Sequence, residues 1–170
     1  MWTAAARCLV LIGAGVLLAA CGSDLRPTDA EMIANLRAKM PLFEKLVAMI
    51  QEDRDLERVD VDWTRPDNPA TIGVTPQRIA TYRALMKEAG IARGFYALKP
   101  RTNIKFIGYA SGLFTHGWGK SYVYLLPDAE SSRYDFDLEE GDLDAAAVGQ
   151  RKFFGYRHID GPWYLLLDSY

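Results

Sequence analysis

The sequence predicts an α+β domain in which amino-terminal helices pack on an antiparallel sheet of four to six strands. Apolar residues recur at helical spacing in the first part of the domain, whereas runs rich in aromatic and β-branched residues dominate the second part. The 170 residues are 49% hydrophobic and 25% charged. That composition is sufficient for one domain with its own core.

The first helix is predicted from about Asp29 to Glu52. Thr28 and Glu31 have the spacing of a capping box, in which each residue satisfies a backbone amide of the other. Pro41 lacks an amide donor and is therefore expected to kink or split this helix. The apolar stripe that predicts the helix consists of Ile33, Leu36, Met40, Phe43, Val47 and Ile50.

A second helix is predicted after Thr75 and Pro76, and Gly90 ends it. The alternation from Val59 to Trp63 predicts a half-buried strand before that helix. Asp160-Gly161 predicts a hairpin, and the three glycines between Gly112 and Gly119 predict a turn. Five further strands are predicted at Phe95 to Leu98, Ile104 to Tyr109, Ser121 to Leu126, Lys152 to Ile159 and Trp163 to Asp168.

The amino terminus has the order of an export signal. Arg7 is the single basic side chain before an uninterrupted apolar and glycine segment from Leu9 to Ala20. Even as a helix this segment would extend about 18 Å, which is shorter than a hydrocarbon core of roughly 30 Å. Residues 1–20 are therefore predicted to be a cleavable signal peptide rather than a transmembrane helix.

Leu18-Ala19-Ala20-Cys21 resembles the lipobox of bacterial lipoproteins at all four positions. The resemblance implies a diacylglycerol on the Cys21 sulfur, cleavage before Cys21 and acylation of the new amino terminus. Several fatty acyl chains, such as palmitate, anchor a protein stably. Gly22 in place of aspartate implies sorting to the outer membrane, facing the periplasm. Residues 21–27 are then the lipidated cysteine with its linker, and residues 28–170 are a single globular domain.

Charge and cysteine content exclude several classes of function. Twenty basic residues against 22 acidic ones offer no cationic excess for a nucleic acid, and composition gives no sign of a basic patch for a membrane surface. The two cysteines, Cys8 and Cys21, both precede the domain. The domain therefore has no thiol nucleophile, disulfide or thiolate metal site.

Three features of the sequence resemble sites for ions or phosphate, but none of them predicts a cofactor or a metal. Gly119-Lys120-Ser121 matches the end of a P-loop, but the first glycine of that motif would fall on Phe114, and a strand follows instead of a helix. Two histidines, His116 and His158, are too few for a multi-histidine metal site. The acidic run 135–144 places Glu140 where a calcium loop needs glycine, which favours a solvated loop and leaves cation binding open.

Aromatic residues are concentrated on the predicted strands. An uncovered sheet face with Trp118 and Tyr122, next to His116, would bind an envelope protein or a glycan. The alternative is that most of these rings pack in the core. The sequence thus favours a non-enzymatic envelope lipoprotein with a partner-binding, assembly or inhibitory role. The other hypothesis is an envelope hydrolase that uses His116 with a nearby carboxylate or with Ser111 or Ser121, although no catalytic residue is assigned.

Overall fold

The computed structural model confirms the α+β class, with helices on one face of a seven-stranded antiparallel sheet. The structure describes residues 26–97, 99, 102–113, 116–126 and 141–169. Within these ranges, no helix combines the length and the apolar character that a bilayer crossing requires. The predicted signal peptide and Cys21 lie outside the described residues.

The helical ends follow the predicted capping pattern. Thr28 Oγ1 accepts from Glu31 N at 3.2 Å, and Glu31 Oε2 accepts from Thr28 N at 2.8 Å, so the capping box is confirmed. The Thr75 hydroxyl accepts from Arg78 N, and Gly90 ends that helix with a φ of 79°. The helices are α1 (Asp29–Ala38), α2 (Met40–Glu52), α3 (Pro76–Ala89) and the short α4 (Leu143–Ala146).

The predicted long helix is split near Pro41. α1 ends at Ala38 and α2 begins at Met40, so Pro41 lies in the first turn of α2. A missing amide removes no helical hydrogen bond at that position. Lys39 joins the two helices with φ −117° and ψ 18°. The expected effect of the proline is confirmed.

Every pair of neighbouring strands in the sheet is antiparallel, and the spatial order is β2-β1-β3-β4-β5-β7-β6. The two longest strands, β4 and β5, lie in the middle and pair along nearly their whole length. The strands are β1 (Arg58–Val59), β2 (Thr64–Arg65), β3 (Phe95–Tyr96), β4 (Asn103–Leu113), β5 (His116–Leu125), β6 (Phe154–Asp160) and β7 (Trp163–Ser169).

The predicted strand from Val59 to Trp63 is wrong, because the chain reverses within it. Asp60 N donates to Trp63 O at 2.9 Å, and Asp60 Oδ1 accepts from Val61 N at 2.8 Å. These bonds close a turn between β1 and β2, which pair as a hairpin. An aspartate that closes a turn and one that alternates along a strand look the same in sequence. This hairpin raises the strand count above the predicted four to six.

The glycine-rich segment is mostly strand rather than turn. Gly112 pairs with Gly117, and Ala110 pairs with Gly119, so both strands extend into the predicted turn segment. Gly119-Lys120-Ser121 therefore lies inside β5, and no helix follows it directly in the chain as a P-loop requires. The chain reverses between Leu113 and His116, inside the predicted segment, but the turn is shorter than predicted because glycine weakens a strand without excluding it.

The predicted hairpin at Asp160-Gly161 is confirmed. β6 and β7 pair from Asp160 with Trp163 to Phe154 with Asp168. Gly161 has a φ of 53°, a conformation that a residue without Cβ adopts at little cost.

The main core lies between the helices and one face of the sheet. The Phe43 ring of α2 makes edge contacts with the rings of Phe106, Tyr122 and Trp163, at centroid distances of 5.8, 4.9 and 5.6 Å. The Tyr122 hydroxyl accepts from Asn35 Nδ2 at 3.0 Å, and burial raises the pKa of Tyr122. These aromatic side chains stabilise the packing of helices on sheet.

A cluster of charges is buried where α1 begins. Lys120 of β5 is 0% exposed, and its Nζ lies 2.6 Å from Asp29 Oδ1 and 2.6 Å from Asp144 Oδ2. Asp29 Oδ2 also accepts from Leu143 N and from Arg157 Nη1, each at 2.9 Å. Buried charges are costly unless they are paired and hydrogen-bonded. This Lys120 cluster therefore holds α1, α4, β5 and β6 in one arrangement.

The Lys120 cluster sets the titration of Asp29. Burial acts to raise the pKa of Asp29, but the bonds from Leu143 N, Lys120 and Arg157 together outweigh it and hold that pKa below its usual value of 3.8. A carboxyl whose pKa is lower in the folded state stabilises the fold above its unfolded pKa. That contribution is lost as the pH falls through the folded pKa.

Replacing Asp29 by asparagine is expected to lower the free energy of unfolding at pH 7 by about 3 kcal/mol, because Lys120 and Arg157 lose a buried anion. The parent chain should also lose stability below about pH 4, and D29N should lose less over the same interval. Urea unfolding of the purified protein between pH 7 and pH 3 measures both effects. D67N, at an exposed aspartate, is the control; parallel pH profiles for D29N and the parent would contradict the assignment.

Candidate functional site

The second face of the sheet, which points away from the helices, carries the candidate site. Its apolar part is a small cluster without helix residues, formed by Val123, Tyr156, Leu166, Leu125 and Tyr164. Beside this cluster lies a recess of about 440 Å³, bounded by the β1–β2 hairpin and by β4, β5 and β7. We call it the polar recess and define it by Arg58, Trp63, Tyr96, Lys105, Ser121 and Asp168.

A lysine and an aspartate form the floor of the polar recess. Lys105 Nζ lies 2.8 Å from Asp168 Oδ2, and both side chains are largely buried. The ammonium group also lies 5.4 Å from the centre of the Tyr96 ring. Strand alternation explains the placement, since Ile104 and Phe106 on either side of Lys105 face the core. A charged pair is thereby held on the second face with little freedom to move.

An arginine forms the wall of the polar recess next to the hairpin. Arg58 Nη2 lies 2.7 Å from Asp60 Oδ2, and the guanidinium group is 4.4 Å from the Trp63 ring centre and 5.6 Å from that of Tyr96. The turn that reverses the chain at Asp60 therefore brings Trp63 onto Arg58. A guanidinium group packed on two rings and a carboxylate has a fixed orientation.

Three polar atoms of the polar recess are buried without a hydrogen-bond partner among the described residues: Ser121 Oγ, Asp168 Oδ1 and Arg58 Nε. Ser121 is 0% exposed. A buried polar group that lacks a partner costs about 1–3 kcal/mol, and native proteins contain few of them. Three such atoms around one recess make the polar recess the candidate functional site of the domain.

Gly119 makes room for the Asp168 carboxylate. A Cβ at position 119 would overlap Asp168 Oδ1, because these two residues are paired across β5 and β7. A larger residue would displace the carboxylate from Lys105. Gly119 and a lysine among the apolar residues 104–107 are unusual in the sequence, but neither shows which distant residue it meets.

The residues predicted to form a binding surface do not lie together on an exposed face. Tyr122 is 2% exposed, and its ring belongs to the core. Trp118 is half-buried against the core, and the Arg26 guanidinium group lies 4.5 Å from its ring centre. His116 begins β5 and pairs with Leu113, and its side chain lies outside the part of the chain that the structure describes. The polar recess, which sequence reasoning missed, occupies the other face.

The hydrolase hypothesis receives no support at Ser121. Within the described ranges the Ser121 hydroxyl has no hydrogen-bond partner, so no described side chain is placed to act as its base. His116 and Ser121 lie on the same strand, about 17 Å apart at roughly 3.4 Å per residue, which is more than the two side chains span. Pairing of His116 with Ser111 or with a carboxylate stays a prediction.

The described part of the acidic run belongs to the Lys120 cluster. Asp142 caps α4 by accepting from Asp144 N and Ala145 N, while Asp144 contacts Lys120 and Arg26. Asp29, Asp142 and Asp144 lie close enough together to hold a metal ion, but the chain supplies its own cations there. The remaining predicted acids, at Asp135, Asp137, Glu139 and Glu140, fall outside the described residues.

Comparison with known protein families, with curated proteins and with solved structures finds no match to this chain.

Replacing Ser121 by alanine is expected to raise the free energy of unfolding by about 1 kcal/mol, because the change removes a buried hydroxyl that has no partner. Urea unfolding of the two proteins without added ligand measures this difference. S169A is the matched control, since the Ser169 hydroxyl accepts from Phe153 N at 2.7 Å and its loss should destabilise the fold. A loss of stability in S121A equal to that in S169A would show that Ser121 has a structural partner.

Proposed function

We propose that this chain is a bacterial envelope lipoprotein, anchored through a lipid on Cys21, whose domain binds a partner through the polar recess without catalysing a reaction. The lipobox resemblance supports the anchor, and its Gly22 supports the periplasmic face of the outer membrane as the location. The polar recess supports the binding role. An assembly or inhibitory role in the envelope is consistent with binding alone.

The single observation that carries the binding role is the set of unpartnered atoms in the polar recess. Ser121 Oγ can donate or accept, Asp168 Oδ1 accepts and Arg58 Nε donates. A ligand that met all three would recover the free energy that the unliganded protein loses by burying them. Arg58 Nη2 and Asp168 Oδ2 are already held by Asp60 and Lys105, so these two groups are oriented before a ligand arrives.

Charge balance favours a neutral, hydroxyl-rich ligand such as an envelope glycan. Three basic residues and three acidic residues line the recess, so their formal charges cancel. Sugar hydroxyls both donate and accept, as the three unpartnered atoms require. The Trp63 side chain is 42% exposed at the rim and offers an apolar surface to the carbon face of a sugar ring. The six charged residues are Arg58, Asp60, Asp62, Arg93, Lys105 and Asp168.

The anchor predicts a defined mature amino terminus. The mature protein should begin at Cys21, carry a diacylglycerol and additional acyl mass, and partition into the detergent phase. C21S should lack the lipid and leave that phase, because no other acyl chain holds the domain at a bilayer. Mass spectrometry and phase partitioning measure both properties, and C8S is the control. A purified protein that retains Met1 would contradict the anchor.

Binding at the polar recess is tested with soluble cell-wall glycan fragments added to the mature lipoprotein in detergent. We expect binding that S121A and R58M each weaken by about tenfold, which corresponds to the loss of one or two hydrogen bonds. Isothermal titration calorimetry measures the affinities, and Q77A, on the exposed part of α3, serves as the control.

An affinity that S121A and R58M leave unchanged would place the glycan elsewhere on the protein. Absence of binding to any fragment would contradict the glycan as the ligand. In that case, a photoreactive residue is placed at position 63. If it cross-links one purified envelope protein, and if R58M in the same chain reduces that cross-linking, the recess is assigned to a protein partner.

A further inference from the structure

The segment from Val148 to Phe154 presents apolar and basic side chains to solvent. Val148 is 79% and Phe154 is 55% exposed, and they are two of the four large hydrophobic residues exposed among the described ranges. Arg151 and Lys152 lie between them, are also exposed and form no ion pair with a described residue. Phe153 is buried, which ties the segment to the core. Apolar residues beside unpaired cations are typical of a surface that meets a membrane interface.

This segment lies at the end of the domain where the chain from Cys21 arrives. Asp144 of α4, just before the segment, contacts Arg26 Nε at 2.7 Å, and Lys120 Nζ donates to Pro27 O at 2.9 Å. Phe154 begins β6 and pairs with Asp168, near the end of β7. The next residue of β7, Ser169, pairs with Trp118 of β5, and Arg26 packs on the Trp118 ring. The Lys120 cluster therefore holds residues 26 and 27 and the segment 148–154 at the same end of the sheet.

The length of the tether places this end near the lipid. Cys21 precedes Arg26 by five residues, which span at most about 18 Å when fully extended. A lipid on Cys21 thus restricts the tethered end of the domain to the immediate surface of the bilayer. At that distance, cations act on anionic headgroups within about a Debye length.

We propose that the segment 148–154 is a second membrane contact, which docks on the anionic surface of the bilayer that holds the Cys21 lipid. Phe154 and Val148 enter the interface, and Arg151 and Lys152 meet the headgroups. This inference rests on the proposed anchor. Its consequence is orientation: docking at this segment would fix which way the polar recess faces, since Phe154 pairs with Asp168 across the sheet and lies on the same face.

The test uses the mature lipoprotein in vesicles of phosphatidylcholine alone or with added phosphatidylglycerol. Amide hydrogen exchange should be about tenfold slower at residues 148–154 in the anionic vesicles, because docking excludes water from these amides. Exchange in α3, which lies away from the tethered end, should be the same in both. Vesicle flotation reports anchoring independently of exchange.

The matched variants separate docking from folding. V148S/F154S and R151Q/K152Q should each abolish the slow exchange at the segment while exchange in α3 stays unchanged. V61S/K87Q changes an exposed apolar residue and an exposed cation elsewhere and should have no effect. Protein that floats with the vesicles but shows equal exchange at 148–154 in both lipid mixtures would overturn the second contact alone. Protein that does not float would overturn the anchor, and slow exchange in detergent without vesicles would show that the protein itself covers the segment.

Discussion

The contact between Lys120 and Asp29 is the constraint on which the arrangement of this domain depends. Both side chains are fully buried, and together with Asp144 and Arg157 they join the first turn of α1 to the middle of the sheet and to α4. A buried cation without its acids would be strongly unfavourable, so the elements that carry these groups have one common arrangement. Lys120 also donates to Pro27 O, so the core determines the position of the residue that precedes the capping box.

Adjacent residues on the central strands serve different purposes because a strand alternates its side chains. Lys120 and Tyr122 stabilise the helix-packed face, whereas Ser121 between them lies in the polar recess with an unpartnered hydroxyl. Lys105 stands likewise between two core residues. The core residues on either side therefore hold Ser121 and Lys105 rigidly in place. These are polar groups through which we propose that the domain binds a partner. Polar atoms kept in place by a packed core suit binding better than the same atoms on a mobile loop.

Prediction from sequence succeeded where one short stretch of chain contains all the interacting atoms. The capping box at Thr28, the helix end at Gly90 and the hairpin at Gly161 each depend on neighbours within a few residues. It failed at Asp60, where a turn and an alternating strand have the same pattern, and at Tyr122, whose exposure depends on the helix that covers it. The candidate site could not be found because Lys105 and Asp168 are 63 residues apart.

The sequence by itself determined the α+β class, the ends of its helices and the β6–β7 hairpin, because these follow from local backbone hydrogen bonds and from the periodicity of apolar residues. Tertiary structure alone decided which face each strand residue occupies and which charges meet. Strand register brings Asp168 beside Gly119 and Lys105, and helix packing buries Lys120 with Asp29. Such pairings depend on the free energy of the whole packed core, to which residues far apart in the chain contribute together.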